Sequence, residues 1–170
     1  MSEFSESFHL YTQKRESAVD LIKHSENKGY VFNEVNGWVT FVVPYRGRNV
    51  TASILDWNPG LLVHYRYYQD HGWELVIYNK DDTVFEYKCD WTDDLQIEKN
   101  VYDLDLIIEL ILKQGNTIEG IDSLFDLKGY TFDQPPAYRL AGKLGLTYYE
   151  WLSADNIEDQ LDDQDILVVD

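Results

Sequence analysis

The step Asn36-Gly37 constrains the fold of this chain more than any other feature of its sequence. Both central residues of a type I′ turn need a positive φ, and Asn-Gly is the pair that adopts it most readily. Runs of mainly apolar, strand-forming residues lie on both sides of the pair, across residues 30–43. The step therefore predicts a β-hairpin in which Val35 pairs with Trp38, and with it an antiparallel sheet.

The same register, continued away from the turn, pairs Phe32 with Phe41 and Tyr30 with Val43. These four side chains then share one apolar face, which we expect to lie in the core. Trp38 is predicted to point to the opposite face.

A second Gly-Trp step, Gly72-Trp73, lies among three further predicted strands in residues 61–91. A three-residue loop over 70–72 keeps like faces together and pairs Tyr65 with Ile77, and a turn over 80–82 pairs Ile77 with Phe85. We interpret the repeated Gly-Trp as repeated turn architecture, with Trp38 and Trp73 in different roles. One face of this meander is predicted to be core: Val63, Tyr65, Tyr67, Trp73, Leu75, Ile77, Phe85, Tyr87 and Cys89.

The remaining segments complete an α+β pattern, because strands and helices are segregated along the chain rather than alternating. Residues 12–27 predict an N-terminal helix, and residues 50–54 alternate like one more strand. Beyond residue 100 the pattern predicts helices over 101–116, 117–129 and 135–145, and a capping box at Thr147 predicts a last one. The sequence thus predicts one domain over residues 1–170. The antiparallel sheet of hairpin and meander is predicted to span about residues 30–91. The helical half follows over about 100–156, and an acidic tail occupies 157–170.

Composition limits the environment of the protein. Aromatic residues make up 15% of the chain, which is too much apolar material for a disordered protein despite a formal net charge of −17. No segment has the length and apolar character of a membrane span or a signal peptide, so we expect a cytoplasmic protein with no membrane contact. Cys89 is the single cysteine, which excludes an intramolecular disulfide.

The negative charge is concentrated in the second half of the sequence. Residues 1–90 carry 13 acidic and 9 basic side chains, a net charge of −4, whereas residues 91–170 carry 18 and 5, a net charge of −13. Such a surface repels a phosphate backbone and attracts a basic protein. We therefore expect no nucleic-acid partner, and we expect a basic protein as partner if the chain has one.

Residues 139–152 have the spacing of a helix-turn-helix motif, but the second predicted helix lacks side chains that read bases. It carries Tyr148, Tyr149 and Trp151, which are typical anchors of protein interfaces. We predict that these three bind a partner and that Asp162, Asp163 and Asp165 steer it electrostatically. The alternatives are ordinary helix packing for the aromatics and a solvated tail for the acids.

The non-core face of the meander offers a second candidate surface, made of His64, Arg66, Tyr68 and Tyr78. It is either a solvated sheet face or a docking surface. For metal or acid–base chemistry, His64, His71 and Asp70 do not converge in the predicted register. We find no catalytic, phosphate-binding or metal-binding motif, and hence assign no catalytic residue, metal or cofactor, which argues against a common enzyme class.

Three classes of function remain open. The first is a small acidic binding protein of the bacterial immunity or accessory type, which neutralises a basic protein such as a nuclease toxin. The second is an enzyme or small-ligand-binding protein with an aromatic pocket between sheet and helices. The residues that would line this pocket are Tyr65, Tyr67, Trp73 and Tyr87. The third is a structural or regulatory component of a larger complex.

Overall fold

The computed structural model describes residues 2–44, 49–128, 134–157 and 165–170. Within these ranges the fold is α+β, with eight strands in one antiparallel sheet and five helices. The strands are β1 (Phe4–Tyr11), β2 (Gly29–Val31), β3 (Trp38–Val42), β4 (Leu61–Tyr68), β5 (Gly72–Asn79), β6 (Asp82–Asp90), β7 (Gln96–Val101) and β8 (Leu167–Val169). The helices are α1 (Arg15–His24), α2 (Val50–Trp57), α3 (Leu104–Lys113), α4 (Ile121–Asp126) and α5 (Pro136–Leu144).

The sheet extends beyond the predicted span of about 30–91, in the order β7-β6-β5-β4-β1-β3-β2-β8. The first strand lies at its centre and pairs with β4 on one side and with β3 on the other. Sequence reasoning missed β1 because Ser5, Ser7 and His9 give it a polar face, whereas in the structure all three are fully buried. Their side chains are satisfied by hydrogen bonds, so that burial of a polar strand face is tolerated.

Two predicted segments have a different local structure. Residues 50–54 belong to helix α2 and not to a strand. Asn49 caps this helix by accepting a hydrogen bond from the Ala52 backbone N–H at 3.1 Å. Val50 and Ile54 are four residues apart, so they share one helix face, and both are buried. The spacing of Val50 and Ile54, which suggested a strand, therefore fits one face of a helix equally well.

The predicted last helix at Thr147 is absent, and the helix-turn-helix interpretation is wrong. Helix α5 ends at Gly145, and the following residues through Leu152 are irregular. The reason is a tertiary contact: β3 pairs with β1 only from Phe8 onward, and the Leu152 carbonyl accepts a hydrogen bond from the Glu6 N–H at 2.7 Å. This segment thus covers the part of β1 that β3 leaves unpaired.

The first hairpin forms at the predicted turn, with Val35 paired to Trp38 and positive φ at Asn36. Beyond the turn the register shifts by one residue, so that Val31 and not Phe32 lies opposite Phe41. The predicted single face is therefore wrong for Phe32 and Tyr30, which pack on the side of the sheet opposite Phe41 and Val43. Phe32 is nevertheless buried there, because both faces of these strands are covered.

The meander keeps its predicted faces but not its full register. Tyr65 pairs with Leu75 instead of Ile77, a shift of two residues that leaves side-chain parity unchanged. The pairing of Ile77 with Phe85 is confirmed, with a bulge between Ile77 and Tyr78. All nine residues of the predicted core face are buried.

Helices α3, α4 and α5 cover this core face, and α1 and α2 pack on the opposite face over β1, β2 and β3. Trp38 lies on the face opposite Phe41, as predicted, but it belongs to the same core cluster as Trp73, so the expectation that the two tryptophans have different roles is wrong. The prediction assigned the faces of the two hairpins separately, whereas the central strand β1 lies between them and joins them into one sheet. Trp38 is fixed by a hydrogen bond of 2.8 Å from its Nε1 to the Leu144 carbonyl.

The C-terminal residues that the structure describes are not a solvated tail. Leu167–Val169 forms the edge strand β8, which pairs with β2, and Val169 is 2% exposed in the core. Residues 158–164 of the predicted acidic tail lie outside the described ranges. None of the helices within those ranges is long and apolar enough to span a lipid bilayer.

Candidate functional site

One half of the sheet carries a face on which the structure places no helix among the described residues. It is the side opposite α3–α5, over β4 to β7, beyond the area that α1 and α2 cover. We call it the open face and define it by five partly or fully exposed side chains: Arg66, Tyr68, Glu74, Lys88 and Glu98.

The open face is built on a row of residues with alternating charge. Strand pairing places Glu6, Arg66, Glu74, Lys88 and Glu98 side by side across five adjacent strands. The Arg66 Nε lies 2.6 Å from Glu6 Oε2, and its Nη1 lies 3.3 Å from Glu74 Oε2. Because neighbouring charges are opposite, the row stabilises strand pairing while it remains polar.

A depression of about 390 Å³ lies beside this row. Gly72 is one of its lining residues, and a Cβ there would stand only 1.9 Å from the Cys89 carbonyl oxygen, so this position admits no side chain. Tyr68 forms one side of the depression, and its ring lies 5.2 Å from that of Phe4, centroid to centroid. The lining residues are Tyr68, His71, Gly72, Trp73, Glu74, Lys88, Cys89, Asp90, Gln96 and Glu98.

Carboxylates outnumber cations around the depression. Glu74, Asp90 and Glu98 face a single lysine, Lys88, whose Nζ lies 3.6 Å from Glu86 on the same strand. Hydrogen bonds from Thr92 lower the pKa of Asp90, which therefore stays ionised at neutral pH. The depression thus combines negative charge with one aromatic side, an arrangement that suits a guanidinium or ammonium group.

The structure separates the four sheet-face candidates. Arg66 and Tyr68 lie on the open face. Tyr78 pairs with Leu62, not with His64 as predicted, and packs against the core cluster under α1 and α2.

His64 is 4% exposed, so the expectation that it is accessible is wrong. The ring stacks on Phe8 of β1, a strand that sequence reasoning did not predict, and its Nε2 lies 2.9 Å from Glu6 Oε2. Burial lowers the pKa of His64 despite the opposing effect of Glu6. Burial alone would raise the pKa of Glu6, but the His64 hydrogen bond and the charge of Arg66 outweigh it and lower the pKa.

Of the six candidates near the C-terminus the structure describes four, and these four have different surroundings. Tyr148 packs against Phe32 with a centroid distance of 4.6 Å, and Tyr149 packs against Tyr138 at 5.3 Å. Trp151 is 41% exposed and has a φ of 51°. Asp165 is exposed and lies 3.6 Å from Arg15, whereas Asp162 and Asp163 lie outside the described ranges.

A buried carboxylate that sequence reasoning missed organises this region. Glu3 is 4% exposed, and it accepts hydrogen bonds from the Ser5 hydroxyl, the Tyr138 hydroxyl and the Trp151 backbone N–H. Burial and the neighbouring Glu3 raise the pKa of Tyr138. Nothing in the sequence near Glu3 marks it as buried, because its partners lie more than a hundred residues away or on the polar face of β1. The cluster ties the N-terminus to α5 and to the segment at Trp151.

The proposed lining of an aromatic pocket is packed core. Tyr65, Tyr67, Trp73 and Tyr87 are all less than 5% exposed. Phe125 from α4 packs against Trp73 and Tyr87, and the Tyr87 hydroxyl donates to the Phe125 carbonyl at 2.6 Å. Tyr65 packs against Tyr149, and Tyr67 packs against Tyr138. Among the described residues, no group of three His, Cys, Asp or Glu side chains is placed to hold a metal ion.

Comparison with known proteins gives no relative: no protein family, no curated protein and no solved structure matches this chain.

Proposed function

We propose that this protein binds a basic protein partner and that the open face is its contact surface. The observation that carries the proposal is the depression beside Gly72, which is lined by the carboxylates of Glu74, Asp90 and Glu98 and by Tyr68. Complementary charge on a partner would steer it to such a face and fix its orientation there. The net charge of −17 selects partners of positive charge.

An arginine side chain of the partner fits the chemistry of the depression best. Its planar guanidinium donates two parallel hydrogen bonds to a carboxylate and stacks on an aromatic ring, and the depression offers both kinds of group. The acidic residues of the C-terminal half, with Asp162, Asp163 and Asp165 among them, would accelerate the encounter. Trp151 remains a proposed additional anchor, because it is 41% exposed.

Neutralisation of a basic toxin or nuclease is the specific form of this proposal. It adds the requirement that the bound partner loses its activity when its basic surface is covered. The proposed setting is the cytoplasm, which is consistent with a single unpaired cysteine, Cys89. The alternative, a small-ligand protein with a pocket between sheet and helices, would require the packed rings around Phe125 to separate.

The test measures binding of a fluorescent ten-residue peptide with four arginines by anisotropy. The variant Glu74→Gln/Asp90→Asn/Glu98→Gln neutralises the depression, and its binding should weaken at least about tenfold, or about 1.4 kcal/mol. The matched control neutralises three exposed acids on the other side of the molecule and should bind within about threefold of wild type. It carries Asp105→Asn, Glu109→Gln and Asp122→Asn.

Equal weakening of the two variants would show that the peptide follows net charge only, and the assignment to the open face would then be wrong. Association should also slow as salt rises, because steering by exposed charges is screened over about 8 Å at physiological ionic strength. A peptide that shows no measurable binding at low salt would refute the proposal as a whole.

A further inference from the structure

The outer edge of β7 is a free sheet edge. Strand β7 is the last in the sheet order, it pairs only with β6, and five of its six residues are exposed. Alternate backbone N–H and C=O groups of an edge strand point away from its neighbour. Among the described residues, no backbone group pairs with those of β7 on that side.

The charge row of the open face ends at this edge with a carboxylate. Along the row the charge alternates from Glu6 through Arg66, Glu74 and Lys88 to Glu98, so each charged residue has an opposite charge on the next strand. Glu98 has such a neighbour only on the β6 side, and it makes no ion pair with the described residues. A strand added to β7 would continue the alternation if it placed a lysine or arginine opposite Glu98.

Two further observations identify what kind of strand fits. Leu95 and Val101 lie exposed at the two ends of β7 and offer apolar contact to side chains that flank a basic residue. Pairing with a second copy would bring together two chains of net charge −17, which their mutual repulsion opposes. A segment of a basic protein has the complementary charge.

We infer that the β7 edge binds an extended basic segment of the partner by strand addition, with a lysine or arginine opposite Glu98. The inference rests on the proposed function and specifies how the partner is held. The added strand runs antiparallel to β7, as every other pair in this sheet does. Main-chain hydrogen bonds to β7 supply affinity, and the residue opposite Glu98 supplies selectivity. That residue also borders the depression, because Gln96 and Glu98 belong to its lining.

The first test separates strand addition from attraction of charge. The probe is a fluorescent ten-residue peptide in which lysine and threonine alternate, and its binding to the full chain is measured by anisotropy at low salt. Two further peptides carry N-methyl groups on all lysine residues or on all threonine residues. In an added strand only one of these two sets donates to β7, so one methylated peptide should bind at least about tenfold more weakly than the other.

If both methylated peptides bind like the parent, strand addition is refuted while binding of a basic partner stands. If the parent peptide does not bind but the arginine peptide used for the open face does, strand addition is again refuted and binding of a basic partner still stands. If neither binds, the proposed function fails as well.

The second test exchanges charge at the edge. Glu98→Lys should weaken binding of the lysine peptide at least about tenfold and should gain binding of a matched peptide with glutamate in place of lysine. The control Glu109→Lys introduces the same change on α3, where Glu109 is exposed, and should leave both affinities within about threefold of wild type. Equal effects of the two substitutions would overturn the placement of the basic residue opposite Glu98.

Discussion

The buried His9 should make this protein sensitive to mild acid. Its ring lies on the central strand β1, fully buried between the hydroxyls of Ser7 at 2.9 Å and Thr40 at 2.8 Å. Burial, together with the nearby His64, lowers the pKa of His9 to about 3, from an ordinary value of 6.5. The folded protein therefore holds the ring neutral, whereas the unfolded chain protonates it as the pH falls below 6.5.

The size of the effect follows from this difference in pKa. Above pH 6.5 both states hold His9 neutral, so it has no influence on stability. Below pH 6.5 each further pH unit lowers the free energy of unfolding by about 1.36 kcal/mol, until the ring in the folded protein itself protonates near pH 3. Between pH 7.5 and pH 5 His9 should thus remove about 2 kcal/mol. His64, whose pKa is also lowered by burial, acts in the same direction.

The assay is urea unfolding between pH 7.5 and pH 5, a window in which most carboxylates remain ionised in both states. His9→Asn removes the titrating ring and keeps a polar group beside the two hydroxyls. From pH 7.5 to pH 5 the unfolding free energy of His9→Asn should decrease less than that of wild type, and the two decreases should differ by about 2 kcal/mol. The matched control His24→Asn, at an exposed position on α1, should follow wild type.

Parallel loss of stability in wild type and His9→Asn would refute the argument. It would show that the folded protein protonates His9 as readily as the unfolded chain does, so that the site is either hydrated or able to open.

Two further predictions concern packing. Gly72→Ala should destabilise the protein by about 2–4 kcal/mol in urea unfolding, because its Cβ would meet a backbone carbonyl, whereas Gly60→Ala, which has open space around it, should stay within about 0.5 kcal/mol of wild type. Similar values for the two would mean that β5 and β6 separate easily at Gly72. Tyr149→Ala should lower the melting temperature by about 4–8 °C because its ring packs against the core, and Trp151→Ala by less than about 2 °C because Trp151 is 41% exposed. The reverse order would favour Tyr149 over Trp151 as the interface anchor.

The local features of this fold were determined by the sequence alone. Asn36-Gly37 specifies its turn because few other residue pairs adopt two positive φ values. The period of two in β4, β5 and β6 specifies which side chains face the core. Even a register error of two residues left Tyr65 and Leu75 on the correct face. Helix α5 begins at Pro136 and ends at Gly145 as predicted, since both residues act through their own backbone geometry.

The long-range pairings were decided by the tertiary structure. Strand β1 pairs with residues of β4 more than fifty positions away, and its buried His9 has a hydrogen-bond partner, Thr40, that another strand supplies. The same holds for Glu3, whose carboxylate is satisfied by groups on α5 and at Trp151. No local pattern encodes such partners.

The candidate site divides in the same way. The sequence placed Arg66 and Tyr68 on the non-core face of the meander, because parity alone determines that. Which part of this face is accessible depends on where β1, α1 and α2 lie, and this is why His64 is buried while Arg66 is partly exposed. The row of alternating charge that ends at Glu98 exists only because the consecutive strands β4 to β7 align in register with one another and, at β4, with the distant strand β1.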